Sequence, residues 1–189
     1  TILIEGGVSE QDIKEKVEKT EQNDKFILFY SGSIDIFHGS DKILSIAKRL
    51  DPHRFTFIVC GRGEEWAEIF EQNTTETSVL QYKGVVSNEE LATLQSNADL
   101  LLIPHPTSLK QLRYQFPSKM MDYMLTGVPV LTTPLPGLPD EYRKYVYYTN
   151  TDNEKDLFQE ILNISQIDFD KRNEKGLKAR DFVINEKNW

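Results

Sequence analysis

The sequence predicts an α/β domain, a Rossmann-like parallel sheet of about six strands with helices on both faces. Two observations carry that reading. Apolar runs of strand length alternate with amphipathic stretches throughout residues 25–189, the pattern of repeated strand–helix units. Within residues 99–138, the strand 100–103 (LLLI) ends at Pro104 and feeds a polar loop. The chain then enters a helix at Phe116-Pro117-Ser118-Lys119, leaves it at Gly127 and resumes a strand at 128–132. A helix whose N-terminus faces the end of a strand is an anion trap. Its unpaired N–H groups and its dipole both favour phosphate.

The elements follow in order. Residues 1–24 hold a short strand (2–4), Gly6-Gly7 and a charged helix from Ser9, and read as a lead-in segment. Residues 25–31 (KFILFYS) form the first buried strand, broken by Gly32. Ser40 is a candidate cap for a helix whose apolar face is Ile43, Leu44, Ile46, Ala47 and Leu50. A second strand, 54–60, is stopped by Gly61-Arg62-Gly63, and a short helix runs over 64–72. The third strand is 79–82. Ser87-Asn88-Glu89-Glu90 then has the form of a capping box and opens a helix to about Ser96, which gives Glu90 a capping role. After the strands 100–103 and 128–132 comes a sixth at 145–148, then helices over 154–164 and 168–183.

Composition narrows the function classes. A chain of 189 residues with 39% hydrophobic and 28% charged content suits one globular domain with a sizeable core. A net charge of −8 argues against tracking nucleic acid, which needs a basic face. Cys60 is the single cysteine, so no internal disulfide forms, and a reducing, cytoplasmic location is expected. Its place at a strand end makes it core. No apolar run reaches membrane-span length. Thr1 at the start and Trp189 just after a helix predict a piece of a larger protein.

In such a sheet the ligand crevice lies outside the C-terminal ends of the strands. The loops to search are 32–39, 61–63, 83–87, 104–118 and 133–138. Glycine in four of them permits close backbone approach but serves plain turns equally well. The loop 104–118 carries Lys110, Arg113 and Tyr114 and leads to Lys119, a basic cluster in an acidic chain. Asp122 lies one turn into the following helix, where its carboxylate could hold ribose hydroxyls. A phosphate seat beside a ribose hook points to a nucleotide-diphosphate ligand. His53 and His105 have no metal-ligand spacing, so no metal is expected.

These segments together resemble the C-terminal domain of group-one retaining glycosyltransferases, the family-four enzymes of GT-B architecture. The resemblance rests on GSI…HG…LSIAKRL (32–50), FIVCGRG (57–63), YKGVVSNEEL (82–91), NADLLLIP (97–104), FPSKMMDYMLTGVPVLTT (116–133) and the closing ARDFV…W (179–189). It implies one half of a GT-B fold, which binds a nucleotide-activated sugar (UDP or GDP). An N-terminal domain outside this sequence would hold a glycan or lipid-linked acceptor and make peripheral membrane contact. Trp189 marks where the family's chain crosses back toward that domain.

Family roles transfer where residues match. The family carries two acidic residues separated by seven others, the second preceding a Gly-x-Pro-Val step. Asp122 holds the second position, before Gly127, Pro129 and Val130, and should accept hydrogen bonds from the ribose. The first, which meets the donor sugar, is Tyr114 here. Pro117 and Ser118, with the Lys119 N–H, should meet the diphosphate. The family's Arg and Lys in the first loop are replaced by Ser33 and His38, beside Gly32. That loss leaves Lys119 first and Arg113 second to stabilise the leaving diphosphate. The base should lie near Gly63, Val85 and Val86, with Gly61 also a nucleotide-binding residue.

The expected activity is hexosyl transfer with retention in polysaccharide or glycan synthesis, with no cofactor beyond the donor and no activity from the isolated domain. The alternatives are a non-catalytic nucleotide-sugar-binding domain of the same fold and a nucleotide-sugar epimerase.

Overall fold

A computed structural model describes residues 24–107 and 116–187. The lead-in segment, Lys110, Arg113, Tyr114 and Trp189 lie outside the described residues. Among the described residues, six strands form one sheet: β1 Phe26–Ser33, β2 Phe55–Arg62, β3 Leu80–Tyr82, β4 Leu100–Ile103, β5 Val130–Thr132 and β6 Tyr147–Tyr148. Every pairing is parallel and the order is β3-β2-β1-β4-β5-β6. The predicted doubly covered parallel sheet is therefore the observed one. Among the described residues, six helices cover it: α1 Ser40–Arg49, α2 Glu65–Gln72, α3 Asn88–Asn97, α4 Ser118–Leu125, α5 Glu154–Ser165 and α6 Phe169–Glu186. No helix among the described residues is long and apolar enough to cross a membrane.

Alternation along the strands divides the core into two layers. Leu28, Tyr30, Phe57, Val59, Leu100 and Leu102 pack with Ile43 and Ile46 of α1 and Leu157 and Ile161 of α5. Phe29, Leu101 and Ile103 pack on the other face with Met120 and Met124 of α4 and Phe182 and Val183 of α6. Burial on both faces explains why these strands read as unbroken apolar runs. Helix α6 lies close on α4: a Cβ at Gly176 would sit 2.1 Å from the Gly127 carbonyl oxygen. At the N-terminal end of β4, buried Asp99 accepts from the Ile27 N–H at 2.9 Å and pairs with buried Arg172 at 3.8 Å.

Two sequence expectations are corrected. Gly32 and Gly61 do not end their strands. They are register partners inside the β1–β2 ladder, and the strands run on to Ser33 and Arg62. Both have φ near +140°, a region side-chain-bearing residues rarely adopt. A Cβ on Gly61 would lie 1.8 Å from the Gly32 carbonyl oxygen. Glycine here lets two strands continue rather than stop. Ser40, in turn, is the first residue of α1 and not its cap. Gly39, at φ +83°, holds the cap position, while the Ser40 hydroxyl is buried without a partner.

Ser87 does cap α3, accepting from the Glu90 N–H at 3.2 Å. Strands β5 and β6 are shorter than their apolar runs, and 3-10 turns at Ile36–His38 and Asp140–Tyr142 were not foreseen. The second turn consumes the run before β6, because the Tyr145 N–H donates to the Tyr142 carbonyl at 2.9 Å.

Gly61→Ala should cost several kcal/mol of unfolding free energy, roughly 3 or more, because backbone must move. Gly84→Ala, with φ +66° but nothing within 4 Å of its Cβ, should cost about 1–2 kcal/mol. Urea denaturation of the two variants checks the contrast. Equal losses would show that the Gly32–Gly61 approach is not limiting.

Candidate functional site

The strand order reverses between β1 and β4, and a crevice opens at such a switch point beyond the strand ends. A cleft of about 670 Å³ lies there. Its floor is Ser31 and Gly32 from β1 with Cys60 and Gly61 from β2. Val85, Val86 and helix α3, through Asn88 and Gln95, make one wall, and α4 makes the other through Ser118, Lys119, Asp122 and Tyr123.

Helix α4 presents its N-terminus to this cleft. Pro117 occupies the cap position with no side-chain acceptor to offer, and no acidic residue lies in the first turn. The first N–H to turn back is that of Met120, to the Pro117 carbonyl at 2.8 Å. Tyr123 fixes the helix to the sheet: its buried phenol oxygen accepts from the Ser31 N–H at 2.8 Å.

Lys119 is the cation among the described residues that line the cleft. Its Nζ sits 4.2 Å from the centroid of the Tyr30 ring, a cation–π distance. It also fills the space beside Gly32, where a Cβ would lie 2.1 Å from Nζ. Burial pushes its pKa down to about 8, with Asp122 and then Asp35 pulling the other way. Tyr30 donates its hydroxyl proton to the Ser33 carbonyl at 2.7 Å, and burial raises its pKa. Cys60 keeps its proton, since burial lifts the thiol to about 11.

Of the residues singled out from sequence, Gly32, Gly61, Val85, Val86, Ser118, Lys119 and Asp122 come together around the cleft. Pro117, the α4 cap, is not among the lining residues of the cleft. Ser33, His38 and Gly63 are not among its lining residues. Ser33 is exposed at the end of β1. His38 lies on the 3-10 turn, with Nδ1 2.7 Å from Asp35 Oδ1. Gly63 packs against backbone, where a Cβ would meet the Ile34 carbonyl oxygen at 2.1 Å.

Sequence reasoning missed Tyr30, Tyr123 and Gln95. Tyr30 lies in a run read as a buried strand and Tyr123 on the helix read for Ser118, Lys119 and Asp122, and their polar tips gave no signal. His105, set aside as a lone histidine, is 8% exposed at the end of β4. Its ring lies edge-on to His38 with centroids 5.1 Å apart.

The chain resembles known proteins at three levels. It is 28% identical over 140 residues to an uncharacterized 41.2 kDa protein in the cps region of Klebsiella pneumoniae, covering 74% of this chain and 36% of that one. It spans, in other words, about a third of that relative. A glycosyltransferase from Rickettsia africae has a similar structure over 99% of this chain and 53% of its own, with TM-score 0.72 at 15% identity. Anabaena Alr3699/HepE, solved in complex with UDP, does so over 87% of this chain and 45% of its own, with TM-score 0.68 at 16% identity. Residues 25–166, strands β1 to β6 and most of the cleft among them, match the family profile of the group 1 glycosyl transferases. With the profile covering that much of the chain, and with the sheet order and cleft just described, this protein belongs to the group 1 glycosyltransferase family.

Proposed function

We propose that this chain is the donor-binding domain of a retaining glycosyltransferase that moves a hexose from a nucleotide diphosphate sugar to a glycan or lipid-linked acceptor. The observation that carries the reading is the α4 wall. Uncapped N–H groups, the Lys119 ammonium and the Asp122 carboxylate lie within one turn of each other on a single cleft. Amides and ammonium suit a diphosphate, and a carboxylate one turn on suits ribose hydroxyls. The base then lies toward Val85 and Val86. When the sugar leaves, negative charge grows on the diphosphate, and a cation already fixed there stabilises it. Lys119 is that cation in place of the family's first-loop pair, with Arg113 as second candidate. The UDP complex of HepE supports a nucleotide ligand, and the cps-region relative supports a place in polysaccharide assembly. The acceptor belongs to a domain of the full-length protein beyond this chain.

One observation favours a second reading, a nucleotide-sugar-binding domain without transfer activity. Ser33 and His38 replace the expected cations and do not line the cleft.

Three measurements bear on these readings. Asp122→Ala should weaken nucleoside-diphosphate binding by roughly 1–3 kcal/mol, the worth of hydrogen bonds to a charged group. Unchanged affinity by calorimetry would place the ribose elsewhere.

In the full-length protein, Lys119→Ala should cut turnover roughly a hundredfold, and more than Ser33→Ala or His38→Ala. Losses at Ser33 and His38 as large as that would return the role to the first loop. No turnover in the wild type with intact donor binding would favour the second reading.

The pH dependence has a definite sign. The anion selects charged Lys119, which in the free protein is half deprotonated near pH 8. Diphosphate affinity should therefore fall as pH rises through about 8, and Lys119→Met should flatten the profile. A profile equally steep in that variant would remove Lys119 from the site.

A further inference from the structure

Three buried side-chain atoms among the described residues lack a hydrogen-bond partner: Ser40 Oγ, His105 Nε2 and Arg172 Nη2. Arg172 belongs to the ion pair at the N-terminal end of β4. The other two mark one corner at its C-terminal end. Gly39 approaches Pro104 so closely that a Cβ would lie 2.3 Å from the Pro104 carbonyl oxygen. That contact sets the start of α1, with Ser40, against the residue preceding His105.

The backbone around His105 is fastened at three points. Thr133 Oγ1 donates to the His105 carbonyl at 2.6 Å, and Lys42 Nζ donates to the Pro104 carbonyl at 3.4 Å. The Thr107 N–H donates to Asp152 Oδ2 at 2.5 Å. A buried polar atom without a partner is costly, and native proteins keep one chiefly where a ligand or an ordered water completes it.

We propose that His105 is a further donor-binding residue, its Nε2–H donating to an oxygen of the distal phosphate of the nucleotide diphosphate. The assignment rests on the donor-site reading above. His105 is not itself among the lining residues of the cleft, and its position along the ligand follows from the sheet order. The base lies over the β2 and β3 loops, the diphosphate at the start of α4, and His105 beyond it at the end of β4. The ligand's charge follows from the groups that face the ring. Lys119, His38 and Lys42 oppose a proton on it and Asp35 favours one, while burial is the largest influence and carries the pKa down to about 3. The imidazole is therefore neutral, with one nitrogen carrying a proton. Among lysine ammonium groups, the complementary partner of that N–H is an anionic oxygen. Lys119 supplies charge and His105 supplies direction.

The test uses this chain with ring-¹⁵N-labelled histidine, and UDP, GDP and the corresponding monophosphates as probes. A diphosphate should shift the His105 ring signals, and its monophosphate should leave them in place. H105F should lower diphosphate affinity about tenfold and leave monophosphate affinity unchanged. H105Q returns an N–H near the Nε2 position and should recover most of the loss. Undiminished diphosphate affinity in H105F would overturn the assignment. So would ring signals indifferent to every nucleotide, the mark of a fixed internal water. If the wild type binds no nucleotide at all, the donor-site reading falls and takes this assignment with it. If it binds diphosphates with or without the His105 ring, this assignment alone falls.

Discussion

The hydrogen bond from the Ser31 N–H to the Tyr123 phenol sets the distance between helix α4 and the end of β1. Parallel strands satisfy their backbone groups in ladders, but where a strand runs past its neighbour, as β1 does beyond the Phe29–Leu101 pair with β4, its groups must find partners elsewhere. Ser31 finds one in a side chain at 1% exposure on the neighbouring helix. That single donor–acceptor pair fixes how far the α4 N-terminus stands from the sheet. It thereby fixes the width of the cleft and brings Lys119 over the Tyr30 ring. Gly32, next in sequence, leaves room for the ammonium. The wall that carries Lys119 and Asp122 is thus a consequence of packing around one buried phenol.

Charge in this protein is organised locally. The chain carries a net charge of −8, yet the cleft proposed for an anion holds a lysine that burial makes reluctant to keep its proton. Exposed charges more than about 10 Å away are largely screened by salt. A half-buried ammonium at the start of a helix is screened far less. An overall acidic surface and a site for anions are therefore compatible.

Much of the fold was legible in the sequence, because a sheet buried on both faces writes its strands as continuous apolar runs. The 100–103 strand and the α4 start at Ser118 were readable for that reason, and Lys119 and Asp122 were legible by position on that helix. What was not legible is long-range or conformational. The Tyr123–Ser31 bond joins residues 92 apart in sequence, and no local pattern announces it. Gly32 and Gly61 read as strand breakers because glycine usually is one, while their pairing across β1 and β2 depends on register. Ser40 has the side chain of a cap, but the chain turns into α1 one residue earlier, at Gly39. His105 looked like an isolated histidine, since its importance lies in what it fails to bond.

Among the described residues, both edges of the sheet are short: β3 has three residues and β6 has two. An exposed edge strand offers unpaired backbone to any chain that can extend the sheet. Here the offer is brief. The outer edge is also attended by cations, with Lys175 Nζ 4.9 Å from the Tyr147 ring and the Arg143 guanidinium 5.6 Å from that of Tyr148. A second molecule seeking to add a strand would meet two residues of ladder and two positive charges. Among the described residues, this edge therefore leaves little unpaired backbone on which a further strand could be added.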